Sequence, residues 1–125
     1  MKQVFVSYVY EDKAHRDTLE QWARDGRLGN VQVTGESKDV RQGGAGAIRG
    51  HISPSLQGAS ALLVLVGSDT HNHDWVQYEV AHVQSARKPV FVVRVPGTTG
   101  AAPPSARGLQ QVTFEPSAIR RALET

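Results

Sequence analysis

Leu62-Leu63-Val64-Leu65-Val66-Gly67-Ser68-Asp69-Thr70-His71-Asn72-His73-Asp74-Trp75-Val76-Gln77-Tyr78-Glu79-Val80 joins an unbroken apolar run, a short polar loop and the first turns of a helix. A run without polar alternation is the pattern of a strand covered on both faces, as in a parallel sheet between helices. In such sheets ligands bind beside the carboxyl ends of the strands. The loop and helix start after Val66 therefore lie where a site forms, and the carboxylate there, Glu79, is the leading catalytic candidate. Val76, Val80 and Val83 recur at i, i+4 and i+7, which predicts one apolar stripe against the sheet. Trp75, Glu79 and His82 repeat that spacing one residue earlier, so Glu79 is expected beside the core, not opposite it. Asp74 is the expected N-cap, where a carboxylate also suits the helix dipole.

Outward from this stretch, strands and helices alternate. Gln3 to Val9 is β-rich, and Glu11-Asp12 opens a helix to about Arg24 with Leu19, Trp22 and Ala23 on one face. Gly26 and Gly29 close it. Val31 to Val33 is a short strand, Gly35 to Gly46 a polar loop, and Ala47 to Leu56 a second helix with Pro54 near its end. Ser60 to Gly67 is the buried strand, Asp74 to Ala86 the next helix, and Pro89 to Val95 another buried strand. Pro96 to Gly108 reads as a surface loop. Gln111 to Phe114 is an edge strand, and Pro116 to Leu123 a closing helix with proline at its start. This order predicts an α/β fold: a central, mostly parallel sheet of about five strands with helices on both faces.

The 125 residues and 13.6 kDa fit a single domain, 1–125. With 14 Lys and Arg against 12 Asp and Glu, and no basic run, the chain carries no nucleic-acid tract. Cysteine is absent, which excludes disulfides, thiolate catalysis and Cys-type zinc sites. The apolar run after Met1 is too short for a signal peptide or a membrane span. A cytoplasmic protein is expected.

Several constellations compete for chemistry. Gly43-Gly44-Ala45-Gly46-Ala47-Ile48-Arg49-Gly50 departs from a dinucleotide fingerprint in the place of its third glycine and in not following a strand directly, so it reads as a loop entering a helix. Asp69, His71, His73 and Asp74 have the side chains of metal ligands but no distant partner, and read as solvated loop residues; no metal is expected. Glu11, Asp12 and Asp69 suggest the acidic pocket of a phosphoreceiver, but no lysine ends a later strand; Lys88 precedes one instead. Ser7 lacks a base and an orienter in sequence, which argues against a Ser-His-Asp hydrolase.

Val4-Phe5-Val6-Ser7-Tyr8, Tyr10-Glu11-Asp12, the strand Leu62 to Val66 with Gly67 and Thr70, Trp75-Val76-x-Tyr78-Glu79-Val80 and Lys88-Pro89-Val90 together resemble the TIR-like proteins of bacterial anti-phage systems, particularly the Thoeris type. The resemblance implies a flavodoxin-like fold, in agreement with the order of elements. It also implies cleavage of NAD+ at the nicotinamide glycosidic bond, with Glu79 at the position of the required glutamate. NAD+ is then the substrate, and no further cofactor is called for. By the same resemblance Ser7 and Tyr8 line the cleft, Asp12 and Arg16 lie near the ribose or phosphates, and Asp69 and Trp75 complete the substrate contacts. Trp75 either stacks on a ring or wedges the helix onto the sheet. The loop from Gly35 to Gly46 corresponds to the one that gates many TIR sites.

The implied product is ADP-ribose, a cyclic isomer or a conjugate. A separate effector protein would respond to this messenger, and a homo-oligomer would complete the site. No nucleic-acid or membrane partner is expected. Two other readings stay open: a non-catalytic TIR module that signals by assembly, and an enzyme like the nucleoside deoxyribosyltransferases, which also turn a glutamate on an N-glycosidic bond.

Overall fold

The computed structural model describes residues 2–8, 12–34, 54–68, 74–100, 106 and 108–124, with the backbone alone at 54, 55, 74 and 75. Its centre is β3 (Ala61–Val66), in which all 6 residues are buried. This strand lies between β1 (Lys2–Ser7) and β4 (Val90–Arg94), with β2 (Val31–Thr34) and β5 (Gln111–Val112) at the edges. The order is β2-β1-β3-β4-β5, and every pairing is parallel. The α/β sheet expected from the sequence is therefore present, and parallel throughout. Strand order reverses between β1 and β3, which makes their carboxyl ends the topological switch point of the sheet.

Successive side chains of a strand point to opposite faces, and two cores follow from that alternation. Val4, Val6, Leu63, Leu65 and Val93 pack with Leu19 of α1 (Lys13–Arg24) and with Ile119, Ala122 and Leu123 of the closing helix. Phe5, Leu62, Val64, Val66 and Val92 pack on the other face with Leu56 of α2 (Pro54–Gln57) and with Val76, Val80 and Val83 of α3 (Asp74–Ser85). The predicted valine stripe is thus the contact that seats α3. Each fully buried Val or Leu contributes about 1.5–3 kcal/mol relative to exposure.

The ends of the helices show why they stop where they do. After α3 the chain turns on Arg87, whose φ of 61° lies in the left-handed region. The Lys88 N–H returns to the Val83 carbonyl at 3.2 Å and the Arg87 N–H to Gln84 at 2.9 Å, which satisfies carbonyls the helix would otherwise leave open. Helix α4 (Pro116–Leu123) begins with proline, as expected, and Lys2 Nζ donates to the Leu123 carbonyl at its other end at 2.7 Å. On α1, Trp22 packs on Phe114 with ring centroids 5.0 Å apart.

Several boundaries differ from expectation. Strand β1 ends at Ser7, short of Val9. Helix α1 starts at Lys13, with Asp12 in the N-cap position but making no capping hydrogen bond with its side chain. Strand β5 stops at Val112 because Phe114 turns inward to pack on His15 and Trp22. Helix α2 is described from Pro54 to Gln57, within the span expected to be helical from Ala47 to Leu56. Positions 47–53 lie outside the described residues.

Candidate functional site

Ser7 is the last residue of β1 and pairs in register with Val64 of β3. It shares its parity with Phe5, so it faces α3. There its hydroxyl donates to Glu79 Oε1 at 2.7 Å, across 72 positions of sequence. Ser7 is fully buried and Glu79 is 6% exposed. A carboxylate that shares a helix with the Val76–Val80–Val83 stripe is drawn under the sheet edge with it. The result is a carboxylate oriented by a hydrogen bond, at the carboxyl end of β1 and at the switch point.

The other expected site residues divide. Asp12, at the start of α1, is buried, and its carboxylate lies directly over Gly67 at the end of β3. A Cβ on Gly67 would stand 2.7 Å from Asp12 Oδ1 and 2.8 Å from its Cγ, so this approach requires glycine. Gly100 comes down on the same turn: a Cβ there would meet the carbonyl oxygens of Gly67 and Ser68. Thr98 Oγ1 donates to the Val95 carbonyl at 2.7 Å in the same segment. Nothing in the sequence marked Gly100, because its role depends on contact with residues more than thirty positions away.

Tyr8 points the other way. It is buried among the side chains beneath α1, on the face opposite Ser7 and Glu79. Arg16 is turned to its own helix, where Nη1 bonds to Glu20 and, at 3.3 Å, to Asp17; its buried Nε makes no hydrogen bond. The structure therefore joins Ser7 to Glu79 and brings Asp12 to the end of β3, while Tyr8 and Arg16 are engaged elsewhere. Asp69, the Trp75 side chain, the loop from Gly35 to Gly46, the Gly43 to Gly50 segment and His71 and His73 lie outside the described residues. Among the described residues no group of three metal-ligating side chains forms, and no helix is long and apolar enough to cross a membrane. Lys88 donates to the Gln57 carbonyl at 3.0 Å, at the amino end of the sheet, far from any place a phosphoreceiver needs it.

A parallel sheet of this strand order with helices on both faces is the flavodoxin-like fold of TIR domains. It aligns with the TIR domains of the activated Roq1 resistosome that recognises the pathogen effector XopQ, with a TM-score of 0.51 at 12% identity, over 99% of this chain and 70% of that one. A comparison with curated proteins gives no match. Residues 5–100 match the family model of the Thoeris protein ThsB, TIR-like domain, and the chain belongs to that family. It is thus a TIR-domain anti-phage protein of the Thoeris type.

Proposed function

We propose that this protein cleaves NAD+ at the bond between nicotinamide and ribose, with Glu79 as the catalytic carboxylate. The observation that carries the reading is the buried Ser7–Glu79 hydrogen bond at the switch point. In NAD+ the nicotinamide is cationic, so it departs with the bonding electron pair as a neutral base and needs no general acid. What remains is an electron-poor ribose C1′ of oxocarbenium character. A fixed carboxylate stabilises such a centre and accepts hydrogen bonds from the ribose hydroxyls. Ser7 supplies the orientation: its O–H holds Oε1 of Glu79 at 2.7 Å. Asp12, over Gly67, is a further polar group at the neighbouring strand end.

Water attacking C1′ gives ADP-ribose and one proton; attack by a nucleophilic atom of the same ADP-ribosyl group gives a cyclic isomer; an external acceptor gives a conjugate. A diffusible product of this kind would act on a separate effector, with a homo-oligomer as the active form. The test is nicotinamide release from NAD+, with and without lysate of phage-infected cells, followed with the nucleotide product by mass spectrometry beside Glu79→Gln. Release that disappears in the variant supports the assignment. Turnover equal to the parent's in Glu79→Gln overturns it, and a folded protein silent under both conditions favours an assembly module instead.

A further inference from the structure

A cavity of about 370 Å³ opens at the carboxyl ends of β4 and β5, lined by Arg94, Pro96, Gln111, Val112, Thr113 and Phe114. Small-molecule sites occupy clefts of about 300–1,000 Å³. The register explains why polar side chains gather here. Val92 pairs with Gln111 and Val93 with Val112, so Thr113 follows beside Arg94. Residues two apart share a face, which puts Arg94, Gln111 and Thr113 on the α3 side of the sheet, at its edge. Gln111 and Thr113 are exposed and Arg94 is half-buried. Pro96, Val112 and Phe114 complete the lining; Val112 and Phe114 belong to the core on the α1 side, so the cavity wraps round the carboxyl end of β5, where Phe114 is held by Trp22 and His15 at 5.0 and 5.3 Å.

The charge of Arg94 is what this cavity leaves unanswered. Arg16 and Arg24 each pair with a carboxylate on their own helix, and Arg120 with Glu124 just past the end of α4. Arg94 forms no ion pair among the described residues; its Nη1 reaches the Thr98 carbonyl at 3.4 Å, beyond the usual range of an N–H···O bond. A guanidinium has five donors in a planar fork and stays charged at every relevant pH, a geometry matched to carboxylate and phosphate.

We infer that this cavity binds a small anionic ligand, a phosphate or carboxylate head on an apolar or aromatic body, with the head on Arg94, Thr113 and Gln111 and the body on Pro96 and Phe114. The site is separate from the Ser7–Glu79 pair. Strand β3 and the 95–100 segment, packed down on Gly67 and Ser68, stand between them.

Titration of the full ¹⁵N-labelled chain with AMP, benzoate, inorganic phosphate and adenosine, read by amide shifts, tests this. Saturable shifts at Thr98, Val112 and Thr113 are expected with AMP or with benzoate, and none with adenosine; AMP alone assigns the phosphate head and benzoate alone the carboxylate. Arg94→Gln should weaken binding about tenfold or more, the loss expected from one charge-assisted contact. Gln111→Glu, which sets a carboxylate beside the fork at an exposed position, should do the same and serves if the first variant fails to fold. Arg121→Gln, an exposed cation on α4, should leave binding unchanged, and so should Glu79→Gln, which keeps this result independent of NAD+ turnover. Absence of saturable shifts with every anion, an equal response to adenosine, or undiminished binding in folded Arg94→Gln or Gln111→Glu overturns the inference.

Discussion

Ser7→Ala removes a single oxygen, and its cost can be worked out before it is measured. Ser7 Oγ donates to Glu79 Oε1 at 2.7 Å, and both residues are buried. A hydrogen bond to a charged group contributes about 1.5–3 kcal/mol net, against about 0.5–1.5 kcal/mol for a neutral pair. The variant should therefore lose about 1.5–3 kcal/mol of unfolding free energy, a fall of roughly 5–15 °C in Tm for a domain of this size. In a Glu79→Gln background the same substitution removes only a neutral bond, so its cost should drop by about 1–2 kcal/mol. Any general effect of alanine in the strand is common to both backgrounds and cancels. The assay is urea unfolding of the parent, both single variants and the double variant at pH 7, with m unchanged. If Ser7→Ala costs the same in both backgrounds to within about 0.5 kcal/mol, the hydroxyl does not hold the carboxylate and the orientation argument fails.

Gly67→Ala must displace the Asp12 carboxylate, whose Oδ1 would lie 2.7 Å from the new Cβ with Oδ2 nearer still, and should destabilise by about 1–3 kcal/mol; an unchanged thermal midpoint would refute that approach. Arg87→Gly relieves a left-handed backbone at φ 61° and should raise stability by about 1 kcal/mol, read by denaturant midpoint. The Asp17 carboxyl is held below its ordinary value by the hydrogen bond from Lys13, against the opposing effect of burial, with the charge of Lys13 and the hydrogen bond and charge of Arg16 adding to the lowering. Because the folded value lies below the unfolded one, this contribution to stability is present above the unfolded pKa and is lost as pH falls through the folded value. A ¹³C titration of the Asp17 carboxyl should move up towards the ordinary value in Lys13→Met, and no movement would sink the assignment.

Much of the fold is legible from local pattern. The Ala61–Val66 run has no polar position, the pattern of a strand covered on both sides, and the spacing of Val76, Val80 and Val83 fixes which face of α3 meets it. Glu79, one position from Val80, was placeable beside the core on that ground alone. Its hydrogen-bond partner was not. Ser7 lies 72 positions away, and nothing within β1 says which residue meets α3 until the register of β1 on β3 is known. The same holds for the Gly67–Gly100 approach and for the cavity at Arg94, which form only when β4, β5 and the 95–100 segment have met.

Register also decides which end residue of β1 can belong to the site. Ser7 and Tyr8 are adjacent, and both were expected to line one cleft, yet adjacent positions on an extended chain point to opposite faces. Phe5 lies in the α3 core and Val6 in the α1 core, so Ser7 faces Glu79 and Tyr8 enters the cluster with Leu19 and Leu65. If catalysis takes place on the α3 side, Tyr8→Phe keeps the ring that fills that cluster and should leave NAD+ turnover within about threefold of the parent, whereas Ser7→Ala should lose tenfold or more through misorientation of Glu79. The two variants need to be compared where both are fully folded, well below the midpoint of the weaker one. Turnover abolished in folded Tyr8→Phe, with Ser7→Ala still active, would put the reaction on the other face of the sheet, and Glu79 would have to give up its assigned role.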